Sequence, residues 1–263
     1  MLIKAVLILL MVLSVASFAN ALDITIAYED KAQPPYYMGS GKVLEKAPGV
    51  AVEMVLMIKD MLEDINIHLL RMPWMRCTSM LGRNRVDGIF NASYKQSRLA
   101  LGWYPTVDHT QKGQVDTSRR IATITYSLYA LKGNQLGWNG SNYDSLKGKI
   151  GAPIGYSIVG DLRKQGVLVE EASSTLLNLR KLSAKRVVAV ALQDVTADSI
   201  IKSDGDRFGN IVKLHPPLKT KPYYLMLSNN FVSAHPKVSQ KIWDSIRIIR
   251  ESKLTEITRK YSK

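Results

Sequence analysis

Residues 48–72 read PGVAVEMVLMIKDMLEDINIHLLRM, and they carry a clear structural pattern. Apolar residues recur at i, i+3, i+4 and i+7 spacing between Ala51 and Ile65, and charged residues fill the gaps, which predicts an amphipathic helix. The run 67–72 that follows is predicted to be a strand. A helix that leads directly into a strand is one unit of an α/β fold.

The same alternation continues on both sides of this stretch. The sequence predicts a strand at 24–28, a short helix at 75–81 and a third strand at 86–90. Alternating strands and helices favour a parallel sheet, and ligands bind such sheets at the carboxyl ends of the strands. Three loops follow predicted strand ends and are expected to meet at one edge: those of Tyr36, Trp74 and Asn91 to Ser93.

The alternation restarts in the second half of the chain. A strand-like run at 123–131 is followed by several glycines, which mark a change in composition. The pattern then predicts strands at 149–152, 167–170 and 187–192, and helices at 159–164, 175–182 and 195–201. A strand predicted at 223–227 would carry the chain back to the first half of the fold. The sequence of the tail then predicts a helix from Pro236 and a last short helix at 254–261.

Two α/β lobes joined by two strands are the simplest arrangement of these elements. We expect residues 22–127 plus 223–263 to form lobe 1 and residues 128–222 to form lobe 2.

The N-terminus has the pattern of a signal peptide, predicted at residues 1–21. Lys4 precedes an almost wholly apolar run at 5–15, and Ala19-Asn20-Ala21 supplies a small-x-small cleavage site. We therefore expect an exported, soluble mature chain, with an uncleaved membrane helix as the alternative. Cys77 is the one cysteine of the sequence, so the chain cannot form an internal disulfide. A buried small side chain is favoured for Cys77 over a reactive thiol.

Composition excludes several classes of protein. The chain has 263 residues, 46% of them hydrophobic and 22% charged, and a net charge of +14, which describes a basic globular protein and excludes collagen-like and largely disordered chains. Its four histidines lack zinc-site spacing, and no phosphate-loop motif is present, so we expect no metal and no cofactor. Nucleic acid is disfavoured as a partner, because the basic residues are dispersed and the chain is predicted to be exported.

The order of several short motifs resembles the family 3 extracellular solute-binding proteins of bacterial uptake systems. The motifs are Pro34-Pro35-Tyr36-Tyr37, Pro48-Gly49 with Glu53, Pro73-Trp74, Val86-Asp87-Gly88-Ile89, Arg98, Leu192-Gln193-Asp194, Pro222-Tyr223-Tyr224 and His235-Pro236. The resemblance implies an α/β type II periplasmic binding fold, two lobes joined by two hinge strands, with a ligand trapped between them. It also implies a periplasmic monomer that binds an amino acid or related carboxylate for an ABC permease in the inner membrane.

Charged residues are the first candidates for the ligand site. A guanidinium matches a carboxylate bidentately, and Arg98 lies close to the family's carboxylate-binding arginine; a solvated helix residue is the alternative. Asp194 resembles the aspartate that holds the ligand ammonium in lobe 2, although Val188 replaces the acidic residue usual in that strand. The alternative for Asp194 is a helix cap. Arg76 would place a second cation near the cleft and suit an acidic ligand, and a solvated arginine is its alternative.

Neutral residues complete the predicted site. Tyr156 and Ser157 follow Gly155 at the head of a helix, where free N–H groups favour an anion, although a glycine turn before any helix looks the same. Asn91 and Ser93 offer hydrogen bonds to an ammonium group.

Aromatic residues are candidates for the walls of the predicted ligand site. Tyr36, Tyr37 and Trp74 are candidates, and for Tyr37 a core position is favoured.

Two other functions stay open. Cyclohexadienyl dehydratases resemble these binding proteins, but an enzyme needs a general acid or base in the cleft, and the sequence offers only Glu53 or Asp194. A ligand-sensing protein without a transporter is the other alternative.

Overall fold

The computed structural model describes residues 21–261, so the predicted signal peptide lies outside the described residues apart from its last position. The strands are β1 Leu22–Glu29, β2 Ile65–Met72, β3 Gly88–Ser93, β4 Ala122–Leu131, β5 Gly137–Trp138, β6 Tyr143–Asp144, β7 Ile150–Pro153, β8 Val169–Ala172, β9 Ala189–Gln193, β10 Ile211–Lys213 and β11 Lys219–Leu227. The α-helices are α1 Val50–Leu56, α2 Trp74–Gly82, α3 Ser157–Lys164, α4 Thr175–Ser183, α5 Asp194–Ser203, α6 Gly205–Phe208, α7 Asn229–Ala234 and α8 Pro236–Arg259. Short 3-10 helices lie at Met57–Asp60, Gln96–Arg98 and Thr117–Arg119.

One sheet runs through the described part of the molecule in the order β2-β1-β3-β11-β4-β9-β7-β8, and β10 pairs with β4. Strands β1 to β3 are parallel to one another, and so are β7 to β9. Between these two groups β11 and β4 pair in antiparallel fashion. The chain therefore has two α/β lobes joined by two strands, as predicted: β1–β3 belong to the first lobe and β7–β9 to the second. The lobe boundaries predicted from the sequence fall inside β4 or β11 and stay predictions.

Alternating apolar side chains place β1 in the core of the first lobe. Ile24, Ile26 and Tyr28 are buried on one face and pack in a cluster with residues of α1 and α8. Trp243 of α8 is fully buried, and its indole N–H donates to the Leu225 carbonyl at 2.9 Å. This packing holds the carboxyl end of β1 in a fixed place beside β3.

Two predicted helices have different bounds in the structure. The helix predicted to reach Ile65 ends at Leu56, because the chain tightens to a 3-10 turn and must reverse before Ile65 pairs with Leu22 in the sheet. The tail forms one helix, α8, where the sequence predicted two, since buried Ile257 continues its apolar face. Among residues 21–261, no helix is both long enough and apolar enough to span a membrane.

A polar cavity between the two lobes

A small polar cavity lies where the carboxyl ends of the strands of both lobes meet. Its free volume is about 10 Å³, which is room for roughly one water molecule. The first lobe supplies the end of β1, the start of α2 and the end of β3, and the second lobe supplies the start of α3 and the end of β9. The lining residues are Glu29, Gln33, Tyr37, Trp74, Asn91, Ser93, Arg98, Tyr156, Ser157, Gln193 and Tyr223.

Arg98 is a buried cation at this cavity, with 5% of its surface exposed. Its Nη1 donates to the Ser93 carbonyl at 2.7 Å, and its Nη2 reaches across to the Gly155 carbonyl of the second lobe at 3.1 Å. The guanidinium also lies over the Trp74 ring, 5.2 Å from its centroid. These partners are neutral, so within residues 21–261 the charge of Arg98 has no carboxylate counterpart.

Glu29, the last residue of β1, is a buried carboxyl at the other side of the cavity and is also 5% exposed. Gln33 Nε2 donates to its Oε2 at 2.5 Å, and the Tyr156 hydroxyl donates to the same oxygen from the second lobe. Burial raises the pKa of Glu29 to about 7, and these two hydrogen bonds oppose the rise. Glu29 therefore changes charge near neutral pH.

A pair of hydroxyl groups joins the lobes at the edge of the cavity. Ser93 Oγ donates to Ser157 Oγ at 2.8 Å, and Lys221 Nζ, from β11, donates to Ser157 Oγ at 2.9 Å. Lys221 also pairs with Asp161, and burial lowers the pKa of its ammonium group. A cation on a joining strand thus contacts the first turn of α3.

Several buried polar atoms around the cavity have no hydrogen-bond partner within residues 21–261. They are Trp74 Nε1, both amide atoms of Asn91 and Gln193 Oε1. An unpaired buried polar group is costly, so a cluster of such atoms indicates a place where a ligand supplies the missing partners. Asn91 also has a φ of 56°, a left-handed conformation that non-glycine residues seldom adopt and that concentrates at functional sites.

Six of the residues selected from the sequence line this cavity: Trp74, Asn91, Ser93, Arg98, Tyr156 and Ser157. Tyr37, for which a core position was favoured, is buried and also lines it.

The other three candidates lie elsewhere. Tyr36 lines a separate, apolar cavity of about 220 Å³. Arg76 is exposed, because two residues along a helix turn a side chain by roughly 200° from that of Trp74. Asp194 begins α5, and its Oδ2 lies 3.6 Å from Lys213 Nζ.

Sequence reasoning did not select four residues of the lining: Glu29, Gln33, Gln193 and Tyr223. Glu29 and Gln193 are polar residues at the last positions of β1 and β9, where the strand-end rule applies. The predicted strands end at residues 28 and 192, one residue before Glu29 and Gln193. Neither residue was therefore recognised as a polar residue at a strand end. Gln33 carries no comparable signal.

Comparison with known proteins supports the fold. No protein-family model matches the sequence, and the search of curated proteins returns no match. Among solved structures, a histidine kinase sensor domain with similarity to periplasmic binding proteins matches with a TM-score of 0.71 and 15% identity, over 92% of this chain and 97% of that one.

Two further solved structures have different roles. The GluR0 ligand-binding core from Nostoc punctiforme in complex with L-glutamate matches with a TM-score of 0.68 and 16% identity, over 91% of this chain and 99% of that one. An ABC uptake transporter substrate-binding protein from Streptococcus pneumoniae with bound histidine matches with a TM-score of 0.68 and 14% identity, over 91% and 92%. At such identities the similarity shows the fold alone. The chain has the type II periplasmic binding fold, and the fold that the sequence motifs predicted is confirmed.

Proposed function

We propose that this protein binds a small carboxylate-bearing solute, an amino acid or a related compound, between its two lobes. The observation that supports this most strongly is the buried Arg98 guanidinium, whose partners are all neutral. A buried charge without a counterion is expensive, and a ligand carboxylate is the group that a guanidinium binds best.

The remaining polar atoms suit the other groups of an amino acid. Asn91 Oδ1 and Gln193 Oε1 are acceptors for a ligand ammonium, and Trp74 Nε1 and Asn91 Nδ2 are donors for a second carboxylate oxygen. The donors come from the first lobe, while Gln193 comes from β9 of the second lobe. A ligand that uses all of them holds the two lobes together.

We further propose that the chain is exported to the periplasm and delivers its ligand to an ABC permease. Support comes from the signal-peptide pattern, the motif resemblance and the solved binding protein of an ABC uptake transporter. The sensor domain with the same fold favours ligand sensing as the alternative. Deleting the gene separates the two: import predicts loss of uptake of the labelled ligand, whereas sensing predicts unchanged uptake and altered gene expression.

A periplasmic enzyme is the second candidate, and Glu29 is the observation that favours it. A carboxyl with a pKa of about 7 in a closed cavity has the properties of a general acid or base. Incubation of the protein with prephenate or arogenate tests this directly. Turnover would replace the binding proposal with a dehydratase, and absence of turnover removes this candidate.

The binding proposal is tested by calorimetry after a thermal-shift screen of amino acids and small carboxylates has found a ligand. Arg98→Lys keeps the charge and loses the two-pronged donor, so we expect affinity to fall about 10–100-fold, the worth of one or two charged hydrogen bonds. Arg83→Ala, on an exposed arginine of the same lobe, is the matched control and is expected to bind as the native protein does. Equal affinities for Arg98→Lys and the control contradict the proposal.

A further inference from the structure

One aromatic side chain from the second lobe lines the cavity and reaches across it to the first lobe. Tyr156 is the residue before the first turn of α3, and only 8% of its surface is exposed. Its hydroxyl donates to Glu29 and accepts from Gln33 Nε2, so both partners belong to the first lobe. Its ring stands edge-on to Trp74, with centroids 6.5 Å apart and planes at 78°.

The preceding glycine makes this deep insertion possible. Gly155 has a φ of 73°, and a Cβ there would lie 2.2 Å from Met75 Sδ and 3.3 Å from Trp74 Cδ1. A side chain at this position would therefore force the half-exposed Met75 side chain to move and would press against the Trp74 ring. The bond from Arg98 Nη2 to the Gly155 carbonyl holds the same turn in place. The position of Tyr156 is thus fixed by its neighbours as well as by its own hydroxyl.

With the ring in this place, little space remains for a ligand. The free volume of about 10 Å³ holds roughly one water molecule, so any amino acid must displace side chains that line the cavity, such as the Tyr156 ring, or separate the lobes, and a larger side chain must displace more. The Tyr156 hydroxyl also hydrogen-bonds to Glu29, which is the carboxylate that the long basic side chain of a ligand would need as its partner. The amide atoms of Asn91 and Gln193 Oε1 stay unpaired, and Arg98 has only neutral partners, so these groups suit the carboxylate and ammonium of an amino acid.

We propose that Tyr156 is a specificity-determining residue that limits the size of the side chain of a bound amino acid. This inference rests on the proposed function, since it assumes an amino acid at Arg98. It separates this chain from the solved neighbours that hold histidine or L-glutamate.

The test is a homologous series of ligands measured by calorimetry: glycine, L-alanine, L-2-aminobutyrate, L-norvaline and L-norleucine. In a site with room to spare, each added methylene raises affinity about fourfold, which amounts to roughly 60-fold from alanine to norleucine. A site limited by Tyr156 gives the reverse, and we expect affinity to fall at least tenfold between these two ligands. A rise along the series in the native protein overturns the proposal.

Three variants assign the limit to the ring. Tyr156→Ala removes the ring and the hydroxyl and is expected to abolish the fall. Tyr156→Phe removes only the hydroxyl, with its contacts to Glu29 and Gln33, and is expected to keep the fall. Tyr143→Ala is the matched control, because Tyr143 lies in the second lobe, stacks on Trp138 and is absent from the cavity lining. The proposal is overturned if Tyr156→Ala retains the fall, or if Tyr156→Phe loses it to the same extent.

Failure of the broader function gives a different result. If neither the native protein nor any variant binds a member of the series, or if Arg98→Lys binds alanine as tightly as the native protein, the amino-acid site itself is wrong. If alanine and norleucine both bind through Arg98 with equal strength, only the role of Tyr156 is wrong. A thermal melt of each variant confirms that a loss of binding is not a loss of folding.

Discussion

Replacing Glu29 by glutamine should change how the stability of the protein depends on pH. Glu29 is 5% exposed, and it accepts hydrogen bonds from Gln33 and, across the cleft, from Tyr156. Burial disfavours the charged form and raises the pKa of this carboxyl from 4.5 to about 7. Glutamine has nearly the same shape and does not titrate, so the substitution isolates the effect of the charge.

The direction of this pH dependence follows from the number of protons bound by the folded and by the unfolded state. Between pH 4.5 and about 7 the unfolded chain has lost the Glu29 proton while the folded chain keeps it, so the folded state binds more protons. The contribution of Glu29 to stability is fully present below pH 4.5 and is lost as pH rises towards 7. At about 1.4 kcal/mol per pKa unit, the loss amounts to about 3 kcal/mol.

Urea unfolding of the native protein and of Glu29→Gln, from pH 4.5 to 8, measures this contribution. The difference in unfolding free energy between the two proteins should shift by about 3 kcal/mol against the native protein as pH rises, because titrations elsewhere are common to both. Glu63→Gln, at an exposed glutamate of the first lobe, controls for the loss of one carboxyl. A flat difference for Glu29→Gln, or the same slope for both variants, refutes the assignment of a raised pKa to burial in the cleft.

Two further predictions concern the first lobe. Gly49 has a φ of 112°, and an alanine Cβ there would lie 2.4 Å from the Tyr36 carbonyl oxygen. Gly133 also has a positive φ, 75°, but open space around it, so Gly133→Ala should lower the free energy of unfolding in urea by roughly 1–2 kcal/mol and Gly49→Ala should lower it by more. Equal losses of unfolding free energy in the two variants would contradict this prediction. Cys77 is fully buried and burial raises the pKa of its thiol, so a thiol reagent should label it in urea but only slowly in native buffer, and fast native labelling would show that it is exposed.

The sequence was sufficient for the order of the main strands and helices in both lobes, but not for the short elements β5, β6, β10, α6 and α7. Short apolar runs between helical patterns identify the parallel strands, and the runs at 24–28 and 67–72 lie within β1 and β2. The end of α1 was harder to predict, because the apolar spacing continues to Ile65 although the helix has already ended at Leu56. Periodicity reports which face a residue belongs to, and it does not report where pairing with Leu22 forces the chain out of the helix.

The candidate site was predictable where residues follow strand ends and unpredictable where it depends on contacts between the lobes. Arg98 and Asn91 were found from their positions near the end of β3. The contact of Tyr156 with Glu29 joins residues 127 positions apart, and no local pattern indicates it. Arg76 was predicted near the cleft from its distance along the chain to Trp74, but the helix turns its side chain to solvent.

The contacts that close the cleft are made by the groups that the proposed ligand would use. Ser93 bonds to Ser157, Arg98 to the Gly155 carbonyl, and Tyr156 to Glu29, each across the two lobes. A neutral hydrogen bond contributes about 0.5–1.5 kcal/mol net and a charged one about 1.5–3 kcal/mol, so together they favour closure by only a few kcal/mol. The affinity of a ligand is therefore the difference between the contacts it makes and those it replaces, and the ligand that leaves most of these contacts intact, the smallest one, gains the most from closure.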